Sequence, residues 1–563
     1  MQDILRPKLL SVLQEGYGLA RLRADALAGL TVAIVALPLS MAIAIASGVT
    51  PDRGLYTAII GGFLVSALGG SRFQVGGPAG AFIVLVAATV ARHGVEGLIL
   101  ATFIAGLLLV ATGYLRLGTY IKVIPYPVTV GFTAGIAVII FSSQLSELFG
   151  LSLEGREPGP LIEKLGALWQ AASTVSAAAV GVAALTIATI LLLRRFRPSW
   201  PNLLIAVVAA SLATAVLALP VDTIGTRFGG IPRGLPLPSL PVFTPELMIA
   251  VLPDAIAFAL LGAIESLLSA VVADGMTGRK HRSSMELIAQ GAANMGSAIF
   301  GGFCVTGTIA RTATNVRSGA TGPVSGMLHA VFLLGFMLLA APLASYIPLA
   351  ALAGVLAVVS WNMVERAAIA ALVRSSRGDA AVLIVTFLLV VFRDLTEGIV
   401  VGFALGAVLF IDRMGKAVHV MEDRLPAAIR AVEEGDEDLG RNGERPVAGD
   451  DPDTVVYRIR GVFFFGAAAS VGAVLDRIAD QRRNFVLDCS EVPFLDSTAA
   501  SVIESMVRKA ERAGVRVFIA GLQPDQRRML EAHEVHAPRV TFASNVREAL
   551  AAIAATDTAA PEA

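Results

Sequence analysis

The chain has 563 residues, of which 55% are hydrophobic and only 16% are charged, and its mean hydropathy is +0.73. Soluble globular proteins carry about 25% charged residues, so this composition excludes an ordinary soluble protein as well as a disordered one. The 44 basic and 44 acidic residues cancel, which gives a nucleic-acid partner no support. Two cysteines in segments of opposite character, Cys304 and Cys489, exclude a disulfide scaffold. A polytopic membrane protein remains.

Charge is distributed unevenly along the chain. By count, 42 of the 88 charged residues follow Gly415, in a little over a quarter of the sequence. We therefore expect a cytoplasmic amino-terminal segment at 1–24 without a cleavable signal peptide, a transmembrane domain at 25–415, a soluble domain at 454–556 and a disordered tail at 557–563. The polar stretch at 416–453, which contains acidic blocks, Gly and Pro, predicts a linker.

Fourteen apolar runs follow one another in the transmembrane domain. They lie near 25–47, 54–69, 78–91, 96–115, 126–146, 175–194, 202–220, 250–271, 285–300, 307–317, 322–345, 350–364, 378–392 and 396–413. Most are long enough to span a membrane, but 78–91 and 307–317 are short and flanked by Gly or Pro, as broken helices are. Basic residues cluster in one set of loops, which predicts that both termini lie on the cytoplasmic side of the membrane.

A weak internal repeat relates the two short runs. The stretch RFQVGGPAG at 72–80 aligns with GFCVTGTIA at 302–310, at an offset of 230 residues, so that Gly77 matches Gly307. Two halves of seven helices have opposite topology because seven is odd, which predicts an inverted repeat. The amino termini of the two short helices would then face each other near mid-membrane, and their free N–H groups and dipoles would create an anion site.

Arg311 follows the start of the tenth run by one turn and predicts a cation in this anion site. The alternative is a structural salt bridge or a side chain that reaches the membrane interface, because a guanidinium at membrane depth is costly without a partner. Backbone N–H groups would come from Thr308, Ile309 and Ala310 in one half. In the other half they would come from 79–81, after Pro78.

Glu265 is the only acid in an apolar stretch of about twenty residues. It could bind and release a coupling proton, or it could be the counter-ion that neutralises Arg311; the roles are compatible, since protonation would break such a pair. Ser269 lies one turn further along the same helix face and could ligate a cation. His329, alone in an apolar run, predicts a core histidine with satisfied ring nitrogens rather than a proton relay.

Other kinds of chemistry lack a sequence pattern. We find no Walker A loop and no metal-spaced group of Cys and His, so we expect no enzymatic activity, no metal site and no cofactor. Asp274 and the basic residues at 279–282 predict a structural cytoplasmic loop.

The soluble domain alternates strand-like and helix-like segments, which predicts a small α/β sandwich. TVVYRIRGVFFF and VRVFIAGL are typical of strands, and the segment after VPFLDS is typical of a helix. Asp496, Ser497 and Thr498 lie in the loop that starts that helix, which predicts an N-cap. The alternative is a loop that binds a partner or is phosphorylated, with Ser497 as the candidate.

These residues resemble one known family. The runs ALPLSMAIAIASGVTPDRGLYTA, GGSRFQVGGPAGAF, GAIESLLSAVVADGMTGRKH and GGFCVTGTIARTATNVRSGATGP are similar to motifs of the SulP family of anion transporters. VPFLDST is similar to the STAS domain (sulfate transporter and anti-sigma-factor antagonist) that ends such chains. The resemblance covers residues from about 15 to 556. GAIESLL, DGMTG, KH and IAR look most like the family's bacterial dicarboxylate transporters, which take up succinate, fumarate and aspartate.

The resemblance implies a fold, an assembly and a site. It implies a seven-plus-seven inverted repeat of fourteen transmembrane helices with core and gate subdomains, an elevator-like motion and a homodimer. The substrate site would lie between the third and tenth helices, with a contribution from the first. Its residues here would be Leu39, Ile43, Gly77, Pro78, Ala79, Gly80, Thr308, Ile309, Ala310 and Arg311.

The resemblance also bears on coupling. Sodium-coupled bicarbonate members carry Asp in place of Glu265 and Thr in place of Ser269, whereas proton-coupled members are similar to this chain, so a proton is favoured over sodium. Ser497 matches the phosphoacceptor position of related soluble domains. We therefore expect proton-coupled uptake of a dicarboxylate. The alternatives are transport of sulfate or bicarbonate, and an anion channel or sensor whose STAS domain binds a soluble partner.

Overall fold

The structure is a computed structural model that describes residues 5–118, 125–153, 157–198, 200–393, 395–417, 419–423, 453–465, 467–468 and 483–558. These residues form two compact units, divided between Ala404 and Leu405, and each unit is described by itself. The division falls inside the fourteenth predicted span rather than after it. The predicted tail at 557–563 lies outside the described residues except for 557–558, which end a helix.

Helices occupy all seven apolar runs of the first half. In chain order they are α1 (Lys8–Gln14), α2 (Leu19–Ala46), α3 (Pro51–Tyr56), which continues through a π-helical turn (Thr57–Gly61) into α4 (Gly62–Leu68), α5 (Ile83–Tyr114), α6 (Tyr126–Ser143), α7 (Leu145–Phe149), α8 (Leu161–Gln170), α9 (Ala177–Phe196), α10 (Asn202–Val216) and α11 (Ile224–Phe228). The first transmembrane helix starts before residue 25, so it includes the end of the predicted amino-terminal segment.

The second half repeats this pattern. Its helices are α12 (Pro245–Thr277), α13 (Ser283–Ile299), α14 (Ile309–Arg317), α15 (Val324–Ala344), α16 (Leu349–Met363), α17 (Arg366–Ser375), α18 (Arg377–Phe392) and α19 (Leu395–Lys416). Among the described residues, eight helices are long and apolar enough to cross a membrane by length and composition. The other predicted spans are shorter or interrupted helices.

Gly94 divides α5 into two helices. Its φ of 67° and ψ of −172° lie outside the helical region, a conformation that glycine adopts without a Cβ clash. The two parts of α5 correspond to the third and fourth apolar runs, so the third run is a short helix as predicted.

Two strands of two residues join the halves at the starts of the short helices. β1 (Gly76–Gly77) precedes α5 and β2 (Thr306–Gly307) precedes α14; Gly76 pairs with Gly307 and Gly77 with Thr306, antiparallel. Adding 230 to the residue numbers of β1 gives those of β2, so the pair Gly76–Gly307 and the pair Gly77–Thr306 are equivalent. Two inverted halves related by a two-fold axis would pair in this register, as the aligned stretches predict.

Two buried acids extend this relation. Asp25 on α2 accepts hydrogen bonds from the backbone N–H groups of Thr321 (2.5 Å) and Gly322 (3.2 Å), in the loop that follows α14. Asp254 on α12 lies 2.5 Å from Arg92 Nη2, at the end of the first part of α5. Asp254 and Arg92 are within one residue of the positions that the offset assigns to Asp25 and Gly322. In each half, an acid on the first helix thus holds the far end of the other half's short helix.

The second unit is an α/β sandwich. Its sheet has the order β3-β4-β5-β6-β7, in which β3 (His419–Asp423) is antiparallel and β4 (Thr454–Arg460), β5 (Asn484–Glu491), β6 (Arg516–Ala520) and β7 (Val540–Ala543) are parallel. Side chains alternate across it: Phe485 and Leu487 pack with α20 (Ser497–Arg512) and α21 (Pro524–Ala532), whereas Val486 packs with α22 (Val546–Thr558).

The predicted linker at 416–453 needs a correction at its beginning. Residues 419–423 form the edge strand β3, held by backbone pairing with β4, and α19 ends at Lys416. The alternation of a five-residue strand was hidden next to the acidic blocks. Most of the remaining linker, 424–452, lies outside the described residues.

Candidate functional site

The strand pair β1–β2 fixes the position of Arg311. The side chain is only 3% exposed, although it belongs to the first turn of α14. Its Nη1 donates to Gly76 O (3.4 Å), and its Nη2 donates to Pro78 O (3.3 Å) and to Ser40 Oγ on α2 (3.1 Å). The guanidinium thus connects the first, third and tenth transmembrane helices.

No full negative charge opposes this cation. No carboxylate of the described residues lies within 4 Å of Arg311, and its acceptors are two carbonyls and a hydroxyl. Carbonyl dipoles stabilise a buried guanidinium only in part, so the site keeps a net positive potential at its centre. The structural salt bridge considered above is not present, and the arrangement favours an anion as the missing partner.

Two glycines make this close packing feasible. A Cβ on Gly77 would lie 1.7 Å from Arg311 Nη1, and a Cβ on Gly307 would lie 1.4 Å from Gln74 Nε2. Gln74 in turn donates to Ser266 O on α12 (3.1 Å). In each strand a glycine therefore lets a side chain contact the backbone directly: Arg311 at Gly77 and Gln74 at Gly307.

The amino terminus of α14 presents unpartnered polar groups. The first-turn N–H groups of Ile309, Ala310 and Arg311 have no acceptor within the helix. Thr308 Oγ1 and Arg311 Nε are buried without a hydrogen-bond partner in the described part of the chain. Ile309 is 39% exposed and Ala310 is also exposed. An entering anion would therefore find N–H and O–H donors at a helix end that solvent can reach.

The opposite side of the site is the start of α5. Pro78 and Ala79 are extended and buried, and a 3-10 turn, Gly80–Phe82, leads into the helix. A Cβ on Gly80 would lie 3.2 Å from Ile140 Cδ1 on α6, so the start of α5 packs closely against α6. The residues predicted from the third and tenth helices are thus together at the two helix starts.

Helix α2 contributes a residue that the sequence analysis did not include. Leu39 is half-buried and Ile43 is buried, but Ser40 between them is the residue that accepts a hydrogen bond from Arg311. Ser40 Oγ also donates to Ala36 O (2.9 Å). A single hydroxyl inside an apolar run was the available signal, although it does not distinguish a site residue from a hydroxyl bonded to its own helix.

Ser269 is linked to the site through Thr312. Ser269 Oγ donates to Thr312 Oγ1 (3.0 Å), which also accepts from the N–H of Val75 (3.2 Å), one residue before β1. Both hydroxyls are fully buried. Thr312 was not predicted; its place one residue after Arg311 on a short helix was the only indication.

Glu265 lies one turn before Ser269 on α12 and is half-buried. Among the described residues, it makes no hydrogen bond or ion pair, and none joins it to Arg311. The counter-ion role considered from the sequence is therefore not what this structure contains. A carboxyl group that is free of a cation and reachable from outside the protein remains available to a proton.

Backbone groups of the extended segments beside the site are hydrogen-bonded by other parts of the chain. Thr308 N donates to Val75 O (3.2 Å), but at the equivalent position Pro78 has no N–H group. Val305 O instead accepts from Asn294 Nδ2 (2.8 Å), and Asn294 Oδ1 accepts from Val305 N (3.0 Å). Asn294 shares α13 with other polar residues, among them Glu286 and Gln290, so nothing in the sequence singled it out, and it supports the backbone rather than a ligand.

The prediction for His329 is confirmed in part, because the residue lies in the core but its ring nitrogens are not satisfied. His329 on α15 is fully buried, and neither ring nitrogen has a hydrogen-bond partner in the described residues. The prediction of satisfied nitrogens was wrong because α15 and its neighbours, at Gly29 and Gly62, offer small residues and helix backbone around the ring.

Ser497 is exposed and is the first residue of α20 in the second unit. Asp496 is the N-cap: its Oδ1 accepts from Ala499 N (2.9 Å), and its Oδ2 accepts from Phe465 N (3.0 Å). The N-cap prediction is confirmed. Phosphorylation of Ser497 stays a prediction.

Comparison with known proteins gives the family. A model described as the sulfate permease family matches residues 22–386, and a STAS domain model matches residues 445–549. The chain is 38% identical over 520 residues to YvdB of Bacillus subtilis, provisionally named a sulfate transporter, which covers 92% of this chain and 94% of that protein. It is 31% identical over 529 residues to the bicarbonate transporter BicA of Synechocystis, covering 91% of each.

A solved structure matches almost the whole chain. Murine Slc26a9, an anion transporter in the inward-facing state, aligns with a TM-score of 0.84 at 18% identity and covers 98% of this chain and 94% of that one. Identity this low supports the fold alone, and it confirms the predicted fold class. With two inverted halves around one buried arginine and a sandwich domain at its end, the chain belongs to the sulfate permease (SulP) family and is a multi-pass membrane transporter with a carboxyl-terminal STAS domain.

Proposed function

We propose that the protein is a secondary active transporter of a small anion. The observation that carries this proposal is the buried guanidinium of Arg311. It has no acidic partner among the described residues and lies where the starts of α5 and α14 meet. A fixed cation beside free N–H donors binds an oxyanion by charge and by hydrogen bonds together. The protein is a transporter and not an enzyme by its family.

The names of the relatives and the shared sequence motifs support two classes of anion. Those named above are called sulfate and bicarbonate transporters, which supports an inorganic oxyanion. The motifs shared with dicarboxylate transporters support succinate, fumarate or aspartate instead. All of these ligands present carboxylate-like or sulfate-like oxygens to one guanidinium, so the geometry accommodates either class.

We propose a proton as the coupling ion, with sodium less favoured, and Glu265 as the group that carries it. Glu265, whose carboxyl makes no hydrogen bond or ion pair among the described residues, lies one turn from Ser269 on α12. Ser269 contacts Thr312, the residue after Arg311. Proton and anion would then move across the membrane together.

We further propose an elevator-like motion and a homodimer, in a bacterial plasma membrane with both termini cytoplasmic. The strand pair and the acids Asp25 and Asp254 support such a motion, because they tie the short helices to α2 and α12 as one rigid group. Cross-linking of the protein in membranes followed by electrophoresis would detect the dimer.

The test is uptake by the purified full chain in liposomes. Arg311→Ala should reduce uptake at least roughly 30-fold, since truncation of a buried charged partner costs about 2 kcal/mol or more. The matched control is Arg317→Ala, at the exposed last position of the same helix, which should transport like wild type. Wild-type uptake by a folded Arg311→Ala protein would refute the anion site.

The same liposomes identify the substrate and the mode of transport. Labelled sulfate, bicarbonate and succinate are compared under an inward proton gradient and an inward sodium gradient. Accumulation against the anion's own gradient supports a transporter, whereas equilibration without accumulation under either gradient would indicate a channel or a sensor.

A further inference from the structure

A second cavity, widely open to the surface, lies at the loop between α12 and α13. Its volume is about 470 Å³, and it is lined by Asp274, Gly278, Arg279, Lys280 and His281. The loop follows an even-numbered transmembrane helix, so it lies on the same side of the membrane as the amino terminus. It is separate from the anion site, which lies at the starts of α5 and α14 around Arg311.

The walls of this cavity are held in place. Asp274 Oδ2 lies 2.6 Å from His281 Nδ1 and also accepts from the His281 backbone N–H (3.2 Å). His281 Nε2 lies 3.1 Å from Ser283 Oγ, and the imidazole is 1% exposed. Gly278, with a φ of +68°, turns the chain out of α12. The loop therefore has a defined shape without a ligand.

Two cations in the cavity have no partner. The side chains of Arg279 and Lys280 are exposed, and neither makes a hydrogen bond or an ion pair among the residues that the structure describes. Asp274 is the only acid of the lining, and it already binds His281. The cavity thus contains two positive charges that nothing in it neutralises.

Further cations surround the cavity. The pKa of Lys8 is lowered by burial and then by the nearby charges of Arg282 and Arg72, and Asp274 acts on it in the opposite direction. Glu15 binds Arg72, and this hydrogen bond lowers the pKa of Glu15; the nearby charges of Arg279 and Arg21 act in the same direction. Positive charge therefore dominates this end of α12 and would attract an anion.

We propose that this cavity binds a phosphate group, with Arg279 and Lys280 as its ligands. A guanidinium fork and an ammonium are a common pair of phosphate ligands. The phosphate could belong to an anionic lipid headgroup, since the loop follows directly from a transmembrane helix, or to a soluble phosphate. Because α12 also carries Glu265 and Ser269, an occupied cavity would stabilise the end of the helix that we assign to coupling.

The test measures the thermal midpoint, Tm, of the detergent-purified full chain during titration with phosphatidylglycerol, with phosphatidylcholine or with inorganic phosphate. The wild-type Tm should rise with phosphatidylglycerol or with phosphate at concentrations at which phosphatidylcholine has no effect. Arg279→Gln combined with Lys280→Gln should raise the half-saturating concentration at least about tenfold, as expected when two charge-assisted contacts are lost.

The matched control combines Arg195→Gln and Arg374→Gln. These exposed cations lie in the last turns of α9 and α17, on the same side of the membrane, and have no partner in the described part of the chain; this variant should respond like wild type. A response to phosphatidylglycerol alone assigns the site to a lipid headgroup, and a response to phosphate alone assigns it to a soluble ligand. The proposal is overturned if neither ligand raises Tm, if phosphatidylcholine acts equally, or if the response persists unchanged in Arg279→Gln/Lys280→Gln.

Discussion

At Gly77 the absence of a side chain determines where the charge of the site lies. The Cβ of an alanine there would be 1.7 Å from Arg311 Nη1, so the guanidinium would have to leave the carbonyls of Gly76 and Pro78. We expect Gly77→Ala to reduce uptake about tenfold or more. The added methyl group would displace Arg311, the side chain that binds the anion, and such overpacking costs about 1–3 kcal/mol. The control is Gly335→Ala on α15, where nothing lies within 4 Å of the added carbon. Equal initial rates for both variants would contradict this account of the glycine.

At Glu265 the expected effect is on pH dependence. Glu265→Gln retains the size of the side chain but cannot release a proton, so uptake driven by a proton gradient should lose its dependence on pH. Glu246→Gln, at the exposed start of the same helix, should retain the wild-type profile. Initial uptake rates between about pH 5 and 8 give the comparison. A wild-type pH profile in Glu265→Gln would place the coupling proton on a different group.

At the scale of elements, Asp25 holds the loop after α14 to α2. Its carboxylate is fully buried and accepts from Tyr17 Oη (2.7 Å) as well as from Thr321 and Gly322. Asp25→Ala leaves these donors unpaired and should lower the free energy of unfolding by about 1–3 kcal/mol, seen as a lower Tm of the purified protein. Tyr17→Phe removes one donor only and should have a smaller effect. A larger loss for Tyr17→Phe than for Asp25→Ala would show that Asp25 does not organise this loop.

The helices were easier to predict from the sequence than the hydrogen-bond partners of the site residues. The fourteen apolar runs coincide with helices because length and hydrophobicity suffice to define a membrane segment. Arg311 was found because a cation at membrane depth is conspicuous. Ser40 and Thr312 were missed because hydroxyls in apolar helices commonly bond their own backbone, and only the crossing of β1 with β2 brings them to the site. For His329 the sequence suggested the wrong surroundings, since it does not reveal which neighbours lack acceptors.

At the scale of the whole molecule, all the residues assigned to binding and coupling lie between Leu39 and Thr312, within the first compact unit. A chain that ends at Ala417 should therefore retain measurable uptake in liposomes. The chain is cut before β3 because β3 pairs with β4. A chain that ended between β3 and residue 454 would keep β3 without its partner strand. The full chain is the reference, and size-exclusion chromatography checks the fold. Complete loss of uptake by a monodisperse truncated protein would make the STAS domain part of the transport cycle.

The two halves are related by an axis but are not identical where they meet. Thr308 donates an N–H that Pro78 lacks, and the offset that relates the halves gives Ala81 as the counterpart of Arg311. If the halves were identical, exchanging their conformations would convert the inward-open form into the outward-open form, and the two forms would be equally populated. Because the charge and the extra hydrogen bond belong to one half only, we expect the empty protein to populate these two forms unequally and an imposed membrane potential to shift their balance.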